Sequence, residues 1–502
     1  MAAYKRDLSK SKLISYRQCP KRLWLEIHKP ELRQDSASSQ AIFRTGHQVG
    51  DLARQIFDPL GRGVLVDLHA DGYKAAISKT TDLLSGDKPI FEAGFSANGA
   101  MAFCDVLIPS DADGVRTWRM VEVKASTSVK PYYEDDVAIQ SFVARSSGVN
   151  LSGVSLAHID SSWAYPGDGD YSGLLVEKDL TAQAFGRVEE VRGWIDDAQK
   201  VALQPNPPAI DTGPQCEKPF PCGFAAHCNE RAEPVAFPIA WLPRVQGKAL
   251  KQYIAQNNVE DMRQVPQELL SQQQLRVLEQ SLTGECFFDE AGALTDLAAH
   301  PLPALFLDFE TISFAVPIWA GTRPFQSLTY QFSIHAMAAD GGLSHAEFLD
   351  MSGADPRHAF ATALLAACET SGPIFVYNAG FEGTRIRELS EAFPALRTGL
   401  LAIKSRLVDL HPIAVRRFYH PSQQGSWSIK KVLPALAPDL TYESLSGVQN
   451  GDMAMDSYLE ALDPETSPER HEEIRQQLLA YCKLDTLAMV RIWQKFTGRQ
   501  HN

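Results

Sequence analysis

One short stretch constrains this chain more than any other. Residues 304–307, Ala-Leu-Phe-Leu, form a continuous apolar run, the mark of a buried strand, and the run continues as Asp308-Phe-Glu310-Thr311. Side chains alternate faces along a strand, so Asp308 and Glu310 share one. Two carboxylates on one face of an otherwise apolar strand repel each other and resist leaving water. That is tolerable only at a sheet edge or around a cation. A metal ion is the economical explanation.

The same chemistry recurs downstream. A long helix is expected from about Pro468 to Phe496, and on it Tyr481 and Asp485 stand four apart, hence on one face. Asp485 could ligate a metal while the Tyr481 hydroxyl holds a water; the plainer alternative is an exposed helix face. Between these elements, Ile374-Phe-Val-Tyr-Asn-Ala-Gly-Phe-Glu382 reads as a strand running into a helix that starts near Gly380, with Glu382 as a further ligand.

A second constellation lies nearer the N-terminus. Met101–Pro109 and Thr117–Ala125 read as a hairpin around the turn Ser110–Gly114. Glu122 and Lys124 then project to one side, beside Asp105 if the strands pair antiparallel. Two carboxylates suit Mg²⁺, and a neighbouring ammonium can orient an attacking water and balance charge developing on a phosphate, which is the chemistry of phosphodiester hydrolysis. A surface Glu/Lys pair is the alternative. Gln140, in the helix-like Asp136–Val143, and His47, in the helix-like Phe43–Gly50, flank the hairpin.

Of eight cysteines, Cys216, Cys222 and Cys228 are spaced C-x5-C-x5-C, and Cys19 precedes a Pro about 200 residues earlier. Four soft ligands suit an iron-sulfur cluster or a structural zinc, although zinc more often takes C-x2-C pairs. Three loop cysteines with no metal is the other alternative. Cys104, Cys286, Cys368 and Cys482 are isolated among apolar residues and read as small core side chains.

Length and composition set the frame. At 502 residues the chain has room for about three domains. With 44% hydrophobic residues it is neither disordered nor fibrous. The segmentation expected is residues 1–230, a helical linker over 231–300, and residues 301–502, with both large regions α/β. A net charge of -13 excludes non-specific coating of nucleic acid, so any such contact needs local patches, which residues 1–30 (net +6) and 391–431 (net +5) offer. No window approaches a membrane span, and a cytoplasmic location is expected.

These residues carry resemblances. Asp105 and Glu122-Val-Lys124, with Gly46-His47 before and Gln140 after, resemble the PD-(D/E)XK nuclease core of RecB-like proteins. The accompanying cysteines resemble the CRISPR-associated and AddB-type iron-sulfur branch, which implies a [4Fe-4S] cluster on Cys19, Cys216, Cys222 and Cys228. Asp308 and Glu310, Asn378-Ala-Gly-Phe-Glu382 and Tyr481-Cys-Lys-Leu-Asp485 resemble the three motifs of DEDDy, DnaQ-like exonucleases of the RNase H-like fold, whose second motif ordinarily ends in Asp. That resemblance implies two metal ions, Mg²⁺ or Mn²⁺, with His47, Asp105 and Glu122 holding metal at the first site and Asp308, Glu310, Glu382 and Asp485 at the second. Asp409 and Ser428-Ile-Lys-Lys431 fall where such domains touch the primer strand; a structural Asp and a solvated turn are the alternatives.

The combination is similar to an uncharacterised bacterial family that fuses the two domains. It implies a metal-dependent exodeoxyribonuclease acting on single-stranded DNA or DNA ends in repair, recombination or antiviral defence, with helicase or defence proteins as partners and no membrane. A nucleic-acid-binding scaffold with one or both sites inactive, and an RNase, are the alternatives.

Overall fold

The computed structural model describes residues 7–35, 37–112, 114–230 and 234–499. Lys5 and Arg6 of the basic N-terminus and Asp113 of the expected turn lie outside them. The fold is mixed α/β with sheets of mixed strand orientation. It divides into unit 1, residues 1–232 with Phe314–Phe325, and unit 2, residues 233–313 with 326–502. Among the described residues, no helix is long and apolar enough to cross a membrane.

In unit 1, strands β1 (Leu8–Ser9), β2 (Val64–Leu65), β3 (Ile90–Ala97), β4 (Ala100–Ala112), β5 (Val115–Lys124), β6 (Leu151–Ile159) and β7 (Leu175–Asp179) make one sheet. Its order is β2-β3-β4-β5-β6-β7, with β1 parallel to the start of β4. β3, β4 and β5 are antiparallel neighbours, whereas β5 and β6 run parallel. The β4–β5 turn is tighter than expected. Ser110, Asp111 and Ala112 pair with Thr117, Arg116 and Val115, because the Ser110 and Thr117 hydroxyls hydrogen bond and Gly114 supplies the left-handed turn at φ +78°. Helices Lys10–Gln18, Pro131–Ser146 and Val188–Ala202 add Leu13, Val137, Phe142, Val191 and Ile195 to the core with Ala102 and Met120. Ala315 and Val316 pack with Val49, Leu52 and Ile159.

In unit 2, β8 (Phe287–Phe288) pairs with β14 (Phe418–Tyr419), and a five-stranded sheet has the order β11-β10-β9-β12-β13. Its strands are β9 (Ala304–Ile312), β10 (Leu328–Met337), β11 (Leu343–Leu349), β12 (Ile374–Val376) and β13 (Leu407–Asp409). β9 lies between antiparallel β10 and parallel β12. Leu305, Leu307 and Phe309 pack on one face with Phe360 and Ile386. Phe306 on the other face meets Phe375, Trp493 and Phe496. Asp308 and Glu310 belong to that second face, which the Pro468–Thr497 helix covers.

Residues 234–300 share this second core through Leu250, Met262, Val277 and Leu297. The apolar spacing of Glu268-Leu-Leu-Ser-Gln-Gln-Gln-Leu-Arg-Val-Leu278 predicts a helix there, but the helix spans Gln272–Thr283. Ser271 forms a capping box with Gln274 and sets the start at Gln272, four residues after Glu268.

Candidate active sites

In unit 1 the β4–β5 ladder closes at Val106↔Val121, and the next two residues are Asp105 and Glu122. Here the backbone N–H of Val123 donates to Asp105 Oδ2 at 2.6 Å. Lys124 Nζ lies 2.7 Å from Glu122 Oε1 and 2.8 Å from Asp136 on the Pro131–Ser146 helix. From the same helix Gln140 donates through Nε2 to Glu122 Oε2 and to Phe103 O. The structure therefore brings Asp105, Glu122, Lys124 and Gln140 together. His47 is exposed on the Ala37–Phe57 helix, near enough to Glu92 to act on its charge.

Two residues here escaped the sequence reading. β3 fills one edge of β4, so β1 and β5 share the other, and Lys10, which follows β1, arrives at Glu122 Oε1 at 2.7 Å. Glu92 stands between Phe91 and Ala93, which pair with Val106 and Cys104, and its charge acts on Asp105. Its φ of +56° is unusual for a residue with a side chain. Burial would raise the Glu122 carboxyl, but Lys10 and Lys124 outweigh it and hold it at about 2. Asp105 is pushed well above its ordinary value by burial and then by Glu122.

The four cysteines Cys19, Cys216, Cys222 and Cys228 line one pocket together with Leu25, Ile210 and Phe224. Gln18 Nε2 ties the two ends of the unit by donating to Gln215 O at 2.7 Å and Phe220 O at 2.8 Å, and the Cys222 N–H donates to Cys216 O. Burial raises the Cys222 and Cys228 thiols, and the other thiols of the set add to it. The N-terminal basic run is largely engaged internally: Lys10 on Glu122, Arg17 on Asp135, Lys21 on Ile210 O, Arg22 on Glu26.

In unit 2, Asp308 and Glu310 meet the 481–485 stretch of the Pro468–Thr497 helix. Burial raises Asp308 well above its ordinary value, followed by the charges of Asp485, Glu310 and Glu382. Burial and then Asp485 push Glu310 up to about 8. Asp485 is pushed up to about 6 by burial, although the Tyr442 and Tyr481 hydroxyls and Lys430 oppose this. Glu382, at about 8 through burial, lies on the Ala379–Ala392 helix with Oε2 buried and without a hydrogen-bond partner. Three of these acids raise Asp308 and Asp485 raises Glu310, so the set is a group of buried donors short of positive charge.

Tyr442 and Cys482 are additions that the sequence did not signal, and Lys430, expected at the primer strand or in a solvated turn, stands beside the acids. The Tyr442 hydroxyl donates to Asp485 Oδ1 at 2.5 Å, and Lys430 Nζ sits over the rings of Tyr442 and Tyr481 at 5.4 and 4.9 Å. The Ser428–Lys431 stretch thus sends one lysine to the acids. Tyr481 directs its hydroxyl at Asp485. Cys482 does not sit among apolar residues alone: its Sγ is 3.7 Å from Asp308 Oδ2. Cys286 is exposed rather than core. Asp409 caps local backbone, its carboxylate accepting from the N–H groups of Asn378, Ala379 and His411.

A family model described as "Domain of unknown function (DUF2779)" matches residues 305–428, a stretch that holds Asp308, Glu310, Glu382 and Asp409 and stops before Tyr481 and Asp485. No curated protein matches the chain.

Proposed function

We propose that the chain is a metal-dependent exodeoxyribonuclease with two active sites, a PD-(D/E)XK site in unit 1 and a DnaQ-like, RNase H-type site in unit 2, acting on single-stranded DNA or DNA ends. The observation that carries the reading is the convergence of Asp308, Glu310, Glu382 and Asp485, from three separate elements, on one buried locus where the other three all raise Asp308. Such a set is stable in its ionised form only around cations. Bound Mg²⁺ or Mn²⁺ supplies Lewis-acid activation of water and neutralises charge on the phosphate. The chain's own groups do the rest. Lys430 offers the only ammonium acting on both Glu310 and Asp485 among the described residues. The two tyrosine hydroxyls keep Asp485 oriented and ionised. In unit 1, Glu122 stays ionised at neutral pH, and Lys124, anchored by Asp136, is the group positioned to meet a phosphate.

The cysteine pocket fits a thiolate-bound group by its donors, and a [4Fe-4S] cluster there would join the N-terminal helices to the 216–228 loop. The test is digestion of end-labelled single-stranded DNA with Mn²⁺ or Mg²⁺, with the native protein compared with Lys124→Ala and Asp485→Ala. Each variant is expected to lose a different product ladder and the double variant to lose both. Native protein that binds DNA in a salt-sensitive way but leaves it intact with either metal refutes the reading.

A further inference from the structure

We propose that Cys482 is a metal ligand, and that Asp308, Glu310 and Cys482 form a mixed carboxylate and thiolate site that takes Zn²⁺ in preference to Mg²⁺. The proposal rests on the reading of unit 2 as a divalent-metal site, not on its cleaving DNA.

One ligand atom from each of these three residues lies within 4.8 Å of the other two. Ligands around a tetrahedral Zn²⁺ stand about 3.3–3.8 Å apart, so small side-chain rotations close the set. Cys482 Sγ is already 3.7 Å from Asp308 Oδ2. A second observation points to the same locus: Glu382 Oε2 is buried, lacks a hydrogen-bond partner and acts on Asp308, which makes it the natural fourth donor. Cys368 shows what a packing cysteine looks like in this unit, since it is equally buried but lies in the cluster of Leu364 and Phe360. Mg²⁺ takes oxygen ligands and gains little from sulfur, whereas Zn²⁺ binds thiolate strongly. On binding, the Cys482 S–H proton passes to solvent as the sulfur-metal bond forms, with no change of oxidation state. Zn²⁺ therefore competes with the ions that oxygen ligands alone would hold.

The test is a titration of the full chain with Cd²⁺ in Mg²⁺ buffer, followed by the ultraviolet thiolate-to-cadmium charge-transfer band. The cysteine pocket offers Cd²⁺ four further thiols, so the readout is the difference between native protein and Cys482→Ser, with Glu310→Gln and Cys368→Ser beside it. One equivalent of band intensity is expected to disappear in Cys482→Ser and to weaken by about tenfold or more in affinity in Glu310→Gln, as loss of even an outer partner of a metal costs about 10- to 100-fold. Cys368→Ser should match native, which shows that a buried serine is tolerated. Equal intensity in native and Cys482→Ser, or a Cys482 band that ignores Glu310→Gln, overturns the proposal. Absence of Mn²⁺-dependent cleavage in the native protein would count against the nuclease reading alone, because the band is read without DNA.

Discussion

In metal-free protein Glu310, beside Asp308 and Glu382, makes the stability of unit 2 depend on pH. Burial and then Asp485 raise its carboxyl from an ordinary 4.5 to about 8, against the pull of Lys430. An acid raised by folding binds its proton more tightly folded than unfolded. Its stabilising contribution is therefore complete below pH 4.5 and is lost as pH climbs through 8. At about 1.4 kcal/mol per unit the shift has an upper bound on the order of 5 kcal/mol. Glu310 and Asp485 titrate as a pair, so removing one reads closer to about 3 kcal/mol. In a unit of this size 1 kcal/mol moves the melting temperature by about 2–4 °C, which gives a fall of about 10 °C between pH 5 and 8. The assay is thermal unfolding of chelator-treated protein at intervals across that range, for native and Glu310→Gln. The glutamine cannot ionise, so the variant should lose that part of the slope and melt above native at pH 8. Saturating Mn²⁺ should raise the native protein at pH 8 and leave it little changed at pH 5. A flat native profile, or a variant that keeps the native slope, refutes the reasoning.

Three further outcomes follow from single contacts. Tyr442→Phe removes a hydrogen bond to a charged carboxylate, worth about 1.5–3 kcal/mol, so Asp485 rises above about 6 and Mn²⁺ affinity at pH 6.5 should fall about tenfold while recovering at pH 8.5, measured by calorimetry. Asp409→Ala leaves three backbone N–H groups without their acceptor and should lower stability by about 1–2 kcal/mol in denaturant unfolding; an unchanged midpoint would show the cap to be dispensable. Gln18→Ala breaks both ties to the cysteine loop, and Cys216 and Cys222 should react about tenfold faster with a thiol reagent in protein stripped of metal.

Charges inside apolar strands were the most legible feature of the chain, because nothing in local packing explains Asp308, Glu310, Asp105 or Glu122. The Pro468–Thr497 helix matches its expected bounds closely, since Ser467 caps its start and Gly498, at φ +62°, its end. What sequence could not supply were partners brought by topology. Lys10 sits in a basic run that reads as a local patch for nucleic acid, and only the placement of β1 on the β5 edge of β4 takes it to Glu122. Glu92 would have been visible as an acid within Ile90-Phe-Glu-Ala-Gly-Phe, the same signal used for β9. Tyr442 and Cys482 carry no local signature, because a tyrosine in a loop and a small residue on a helix face are ordinary. The stretch around Glu268 misled because its apolar spacing is helical while the Pro266 and Ser271 signals place the start later.

The two carboxylate sites solve the problem of buried acid in opposite ways. In unit 1 the protein supplies the cations: Lys10 and Lys124 share one oxygen of Glu122, and that acid stays ionised at about 2 despite full burial. Only Asp105, held by a backbone N–H, and Glu92 are pushed up there. In unit 2 all four acids are raised, and the ammonium of Lys430 acts on two of them, Glu310 and Asp485. A divalent ion entering unit 1 must displace or share with an ammonium already in place, so its net gain is small. An ion entering unit 2 would meet no ammonium bonded to these carboxylates among the described residues and would relieve the repulsion that falls on Asp308 and Glu310. On the proposed function, metal would act in unit 1 chiefly on chemistry, with little effect on stability, whereas in unit 2 the same charge that would activate water would also hold the acidic face together.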